Sequence, residues 1–313
     1  MKNTLEINIT AFSDKGIKAD NDDCLGCKIP TNHILKNKGI VVAIADGMSS
    51  SEAGKEASHA CINGFISDYY STPDSWSVQN STQKILSALN NWLYSRGHTD
   101  YQSTKGMVTT LTIVILKSTT AHIFHIGDSR VYRLRDCQLE QLTRDHRVWL
   151  SNNKNYLNRA MGIDLHLDID YHKVDLQCED VFLLSTDGIH DFISTKALKK
   201  ILTNKDSLKE QSLKEQCTAI TQQVITNKCD DNLSLQLFKI KQLPLPEEQE
   251  VLQTAHERPF PPILEAGMIF DGYKIIKDIH ASKRTQIYCA EDQQTGKKVI
   301  IKAPSVNYED DAF

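Results

Sequence analysis

The sequence predicts a layered α+β domain, sheets covered by helices, followed by a small β-rich piece. Three observations carry this. Two dense β-branched runs, Lys38–Ala45 and Thr110–Leu116, read as central strands. Apolar residues at helical spacing recur between the strand-like segments. Five of the eight prolines fall in residues 244–262, among Glu247, Glu248, Glu250 and Glu257, a composition that continues neither strand nor helix. The expected organisation is a domain over 1–240, a Pro/Glu-rich linker over 241–264 and a short unit over 265–313.

Each element follows from its pattern. Leu5, Ile7, Ile9 and Ala11 alternate with Glu6, Asn8 and Thr10, the period of a half-buried strand. Ala53, Ala57, Ala60 and Gly64 keep helical spacing, with Ser49 and Glu52 as an expected capping box. Ile85, Leu86, Leu89, Trp92 and Leu93 form a second helical face. Ala121–Ile126 and Arg130–Leu134 flank the tight polar turn Gly127-Asp128-Ser129. Val181–Leu184 and Leu233–Phe238 add strands, and Leu213, Cys217, Ile220 and Val224 give a third helical face.

Composition excludes several classes. With 40% hydrophobic and 24% charged residues, 313 residues can bury a sizeable core. A net charge of −4 without a basic block argues against nucleic acid or anionic membrane as a partner. The longest apolar stretches, Ile40–Ala45 and Ile113–Leu116, fall far short of the ~20 residues of a membrane span. Met1–Gly16 has no signal-peptide core, so a soluble, cytoplasmic protein is expected. The eight cysteines read as reduced thiols, and Cys24-x-x-Cys27 lacks the second pair that zinc would want. His122, His125, Trp76, Trp92 and Trp149 are read as packing residues.

The aspartates carry the chemistry. Asp22-Asp23, Asp46-Gly47, Asp128, Asp187-Gly188 and Asp230-Asp231 all sit where predicted strands end or begin. Any one of them alone is a good turn-former. Five such sites, if they converge, would repel strongly at low effective dielectric and would have to protonate or bind cations. An all-oxygen set suits Mg2+ or Mn2+ rather than Zn2+.

Eight blocks then resemble, in order across residues 5–240, the metal-dependent protein Ser/Thr phosphatases of type 2C. They are Ser13-Asp14-Lys15-Gly16 with Lys18-Ala-Asp-Asn-Asp-Asp23, Ala45-Asp-Gly-Met48, His125-Ile-Gly-Asp-Ser-Arg-Val-Tyr-Arg-Leu134 and Leu142-Thr-Arg-Asp-His146. Leu157-Asn-Arg-Ala-Met-Gly162, Leu184-Ser-Thr-Asp-Gly-Ile189 and Asp231-Asn-Leu-Ser234 complete the set. The resemblance implies an antiparallel β-sandwich flanked by helix pairs, in α-β-β-α layers. It implies hydrolysis of phosphoserine and phosphothreonine on proteins by a water bridging two Mn2+ or Mg2+ ions.

Position by position, the resemblance implies that Asp46 bridges both ions, with the Gly47 carbonyl as a further ligand. Asp187 and Asp231 would complete one ion, and Asp22, where the family usually has Glu, the other. Asp128 would join Asp187 around a third, looser ion of bacterial-type members. Lys18 stands where the family has a phosphate-contacting Arg, keeping the charge but losing the bidentate fork. Two further departures stand out. Only eleven residues separate His146 from Asn158, where bacterial members usually carry a longer flap, and Met48 stands where animal members have a His.

Residues 267–303 read as two or three strands. Their order resembles the opening of a Ser/Thr protein kinase small lobe, with Val299-Ile-Ile-Lys302 matching its Val-Ala-Ile-Lys strand. His280-Ala-Ser-Lys-Arg-Thr285 lacks the glycines of a phosphate-cradling loop, and no His-Arg-Asp or Asp-Phe-Gly follows. The piece is thus expected to be a truncated kinase front, marginally stable and mobile on its own. Two functions follow from these readings. One is a phosphatase reversing the action of a linked or partner kinase. The other is a weak or inactive type 2C-like module that binds phosphoprotein partners.

Overall fold

The computed structural model describes residues 4–101, 106–151, 154–203, 212–245, 263–282, 285–293 and 295–304. The chain divides into two compact units, Met1–Pro246 and Glu247–Phe313. In the first, β1 (Glu6–Asp14) and β2 (Asp23–Lys28) precede α1 (Asn32–Lys38) and β3 (Ile40–Asp46). The helices α2 (Gly54–Ser71) and α3 (Val78–Asp100) follow, then β4 (Leu111–Lys117), β5 (Thr120–Ile126), β6 (Arg130–Arg135) and β7 (Gln138–Gln141). The hairpin β8 (Arg147–Ser151) and β9 (Lys154–Leu157) leads to β10 (Asp170–Asp175), β11 (Val181–Ser185) and the short α4 (Asp187–His190). The unit closes with α5 (Thr195–Thr203), α6 (Leu213–Thr226) and β12 (Leu233–Gln242), two residues past the expected boundary at 240.

Two five-stranded sheets result, ordered β1-β12-β11-β6-β7 and β10-β5-β4-β3-β2, with every pairing antiparallel. The predicted α-β-β-α layering is the one observed. Ile40–Ala45 has no exposed residue because β3 is covered on both faces. Val41, Ala43 and Ala45 pack with Ala57, Cys61 and Phe65 beneath α2. Ile40, Val42 and Ile44 instead pack between the sheets, against Phe182 and Phe238. On the far side Leu198 of α5 and Cys217, Ile220 and Val224 of α6 close over Leu183, Leu235 and Leu237.

Local readings differ in two places. The capping box expected at Ser49 and Glu52 does not form: α2 starts at Gly54, its N-cap Ala53 has no side-chain cap, and Ser49 Oγ instead receives Lys18 Nζ at 2.7 Å. A capping box does form at α6, between Ser212 and Glu215. Trp92 is not a packing anchor; it is 44% exposed, with Arg96 over its ring. Trp76 is overlain by Lys84, and the side chain of Trp149 lies outside the described residues.

The histidines do pack. His122 bonds the Tyr171 hydroxyl, and His125 is fixed between the Thr112 hydroxyl and the Arg144 carbonyl. Cys24 and Cys27, three apart on β2, point to opposite faces, one buried and one exposed, so they cannot share a metal.

The second unit is an antiparallel meander of β13 (Ile269–Phe270), β14 (Tyr273–Ala281), β15 (Thr285–Asp292) and β16 (Lys298–Pro304), one strand more than expected. Its core is small: Leu264, Ile275, Tyr288, Ala290 and Ala303. The proline-rich residues 246–262, and 283–284 of the loop before β15, lie outside the described residues.

Candidate metal centre

The carboxylates come from strand ends of both sheets. Asp23 opens β2 and is paired across the ladder with Asp46, the last residue of β3. Asp128 lies in the turn between β5 and β6, Asp187 begins α4 directly after β11, and Asp231 precedes β12. Antiparallel order brings these ends to one edge. Asp46 reports the convergence: burial, then the charges of Asp23, Asp187, Asp128 and Asp231, push its carboxyl well above the usual range. Burial likewise raises Asp23 to about 6 and Asp187 to about 7, the latter helped by Asp128 and Asp231.

The surrounding polar residues hold the edge in shape. Asn232 accepts from the Asp22 N–H at 2.9 Å and donates to the carbonyls of Lys15 and Asp20, stapling the N-terminal loop to β12. The Asp46 N–H donates to the Thr110 hydroxyl at 3.0 Å, and the Thr109 hydroxyl donates to the Asp46 carbonyl at 2.9 Å. His146 Nδ1 accepts from the Gly127 N–H, which leaves Nε2 to donate to Asp170 at 3.1 Å and fixes the turn carrying Asp128. The Leu142–His146 block is therefore scaffold, with Thr143 bonding the Val131 N–H and Asp145 gripping Arg130.

Two glycines are dictated by contact. A Cβ on Gly188 would lie 1.9 Å from the Asn232 carbonyl oxygen. One on Gly47 would lie 2.3 Å from the Gly54 carbonyl oxygen and 2.8 Å from that of Asp22.

The structure brings Asp46, Asp128, Asp187 and Asp231 together with Asp23, which sequence reasoning passed over. Asp22, the expected ligand, contributes backbone: its N–H to Asn232, its carbonyl to the Gly47 N–H at 3.1 Å and the Ser58 hydroxyl at 2.6 Å. Lys18, expected on phosphate, bonds Asp231. Burial opposes its charge, but Asp231, with Asp46 and Asp187 behind it, raises its pKa above the ordinary lysine value.

Arg147, absent from the expected set, binds Asp128, Asp187 and Asp191. Two side-chain cations thus sit among the acids, and among the described residues no three His, Cys, Asp or Glu groups stand as a finished metal cage.

The donor set nonetheless fits divalent cations around Asp23 and Asp46. Asp23 Oδ1 is buried without a hydrogen-bond partner, while Oδ2 accepts from Thr186 at 3.0 Å. A buried carboxylate oxygen left so is costly unless a cation meets it. The donors are hard oxygens, as Mg2+ and Mn2+ require.

Fold and acidic edge together define a class, the metal-dependent hydrolases built on two antiparallel sheets between helix pairs. Among solved structures, Stp1 from Staphylococcus aureus superposes with a TM-score of 0.66 at 22% identity, over 77% of this chain and 98% of that one. The catalytic domain of the phosphatase PstP, in complex with two manganese ions, superposes at 0.63 and 22%, over 76% and 100%. The serine/threonine phosphatase stp of Listeria monocytogenes is 29% identical over 198 residues, 56% of this chain and 77% of that protein. The phosphatase PhpP of Streptococcus pneumoniae is 25% identical over 226 residues, 66% and 88%. Residues 19–237 match protein phosphatase 2C, and the chain belongs to that family. Among the described residues no helix is long and apolar enough to cross a membrane.

Proposed function

We propose that residues 1–240 hydrolyse phosphoserine and phosphothreonine on proteins, with two Mn2+ or Mg2+ ions held by Asp23, Asp46, Asp187, Asp231 and the Gly47 carbonyl. The observation that carries this is the Asp23–Asp46 pair: a buried and a half-buried carboxylate on facing strands, both raised in pKa, one with an oxygen that accepts no hydrogen bond. Such ions would supply an activated water and charge neutralisation for an in-line phosphoryl displacement. Asp46 feels the charge of Asp23, Asp187, Asp128 and Asp231 together, and would be the carboxylate shared between the ions.

Lys18, 26% exposed, is the cation at the mouth of the site. Were Asp231 engaged by a metal ion, the Lys18 ammonium would be free to receive the substrate phosphate as a point charge. Met48 offers no proton, so the leaving hydroxyl takes its proton from water.

The finer reading is that the substrate is a linked or partner protein kinase. The C-terminal unit supports it: an antiparallel meander carrying Val299-Ile-Ile-Lys302 on β16, similar to the opening of a kinase small lobe. Dephosphorylation of an autophosphorylated Ser/Thr kinase no faster than of unrelated phosphoproteins would remove this part.

The main test is turnover of p-nitrophenyl phosphate and a phosphothreonine peptide with Mn2+, Mg2+ or EDTA, beside Asp187→Asn. Metal-dependent turnover lost with EDTA and in the variant is expected. Absence of turnover from folded protein at every metal concentration leaves the phosphoprotein-binding module as the working function.

A further inference from the structure

The family pattern gives Asp128 and Asp187 to a third ion, and here the residues do not fit one. Arg147 opens β8 directly after His146, which is itself fixed to the Gly127 N–H and to Asp170. Its guanidinium spends all three nitrogens on carboxylates. Nε donates to Asp128 Oδ2 at 2.6 Å, Nη2 to Asp187 Oδ2 at 2.9 Å and Nη1 to Asp191 Oδ2 at 2.8 Å. The side chain is 11% exposed and that of Asp128 only 7%. A guanidinium does not deprotonate in proteins, so it cannot yield these oxygens by titrating. A divalent ion between Asp128 and Asp187 would meet a fixed positive charge within bonding distance of both.

We infer that Arg147 is a built-in cation occupying the place of the third metal ion, so that this phosphatase works with two ions. This rests on the two-ion reading above. The short segment between His146 and Asn158 is consistent with it, because β8 begins immediately at the acidic edge. Arg147 is thus a positioning residue. It neutralises Asp128, which no longer needs metal, and orients Asp187 through Oδ2.

The test counts metal on the full chain. Mn2+ is bound to saturation, titrated by calorimetry and counted by atomic absorption after equilibrium dialysis, for wild type, Arg147→Ala and Asp128→Asn. Folding of each is checked by circular dichroism. Two ions in wild type, three in Arg147→Ala and still two in Asp128→Asn are expected. Removing the guanidinium would also add a weak phase to the Mn2+ dependence of turnover, a readout that mere loosening of the fold does not produce.

Three ions in wild type, or two in folded Arg147→Ala, overturn the assignment to Arg147 while leaving the two-ion phosphatase intact. If Arg147→Ala does not fold, Asp128→Asn decides: an unchanged count of two supports the inference, and loss of an ion overturns it. No bound Mn2+ in wild type would remove the two-ion reading itself, and this inference with it.

Discussion

The acidic edge is balanced differently at its two ends. Around Asp128 and Asp187 the chain supplies its own counter-charge, one guanidinium for three carboxylates. Around Asp23 and Asp46 it supplies the charge of Lys18 only at a remove, because that ammonium bonds Asp231: Asp46 is pushed well above the ordinary range and one oxygen of Asp23 accepts no hydrogen bond. The contrast teaches where an external cation belongs. Asp128 in its ion pair needs no metal, whereas Asp23, Asp46 and also Asp187, whose carboxyl stays raised to about 7 beside Arg147, are stable only protonated or ligated.

The largest expected effect falls on the uncompensated end. Asp46→Asn should lower kcat/KM for p-nitrophenyl phosphate at saturating Mn2+ by about a thousandfold, the several kcal/mol that metal-assisted stabilisation contributes. Retained activity within tenfold would show that the two ends are not functionally distinct. Next comes the seam between them. Gly188→Ala drives a Cβ into the Asn232 carbonyl and should destabilise the domain by about 2–3 kcal/mol, read as a lower urea midpoint. An unchanged midpoint would mean that the backbone at α4 gives way without cost.

Lys18→Ala should raise KM for a phosphopeptide by about tenfold with a smaller change in kcat, the scale of one lost charge-assisted contact. Lys18→Arg should recover or improve it, because the fork suits phosphate. A fall in kcat alone would instead tie Lys18 to Asp231.

The smallest effect is a pH trend in metal-free protein. Asp23 and Asp187 titrate at about 6 and about 7 in the fold against 3.8 ordinarily, so between these values the folded chain binds more protons than the unfolded one. Their contribution is fully present near their ordinary pKa and is lost as pH rises through about 7. The melting temperature should therefore fall by a few degrees between about pH 5 and about pH 8. Mn2+ should reverse the trend, since ligating carboxylates must be deprotonated. A metal-free melting temperature that rises over this range would show that these acids are already ionised and paired.

Most of the scaffold was legible. The dense β-branched runs at β3 and β4 marked central strands, which the structure buries, and the spacing in α6 marked its buried stripe. Asp46, Asp128, Asp187 and Asp231 stood out as aspartates at strand ends, and the family resemblance gave each its expected role. Asp22 and Asp23 could not be separated that way. Adjacent residues at a strand's start face opposite sides, and only the register with β3 decides that Asp23 stands beside Asp46. The Ser49 cap failed because the helix starts later, with Ala53 as its N-cap, and Ser49 in the preceding turn accepts from Lys18 instead.

What the amino-acid sequence determined alone was local: which segments form strands and helices, and which polar residues sit at their ends, because hydrophobic period and turn chemistry act within a few residues. Tertiary structure decided which charges meet. Arg147 and Asp128 lie nineteen residues apart, and Lys18 and Asp231 more than two hundred. Antiparallel pairing within each sheet, and the packing of one sheet on the other, bring them within bonding distance, and a sequence pattern carries no record of that distance.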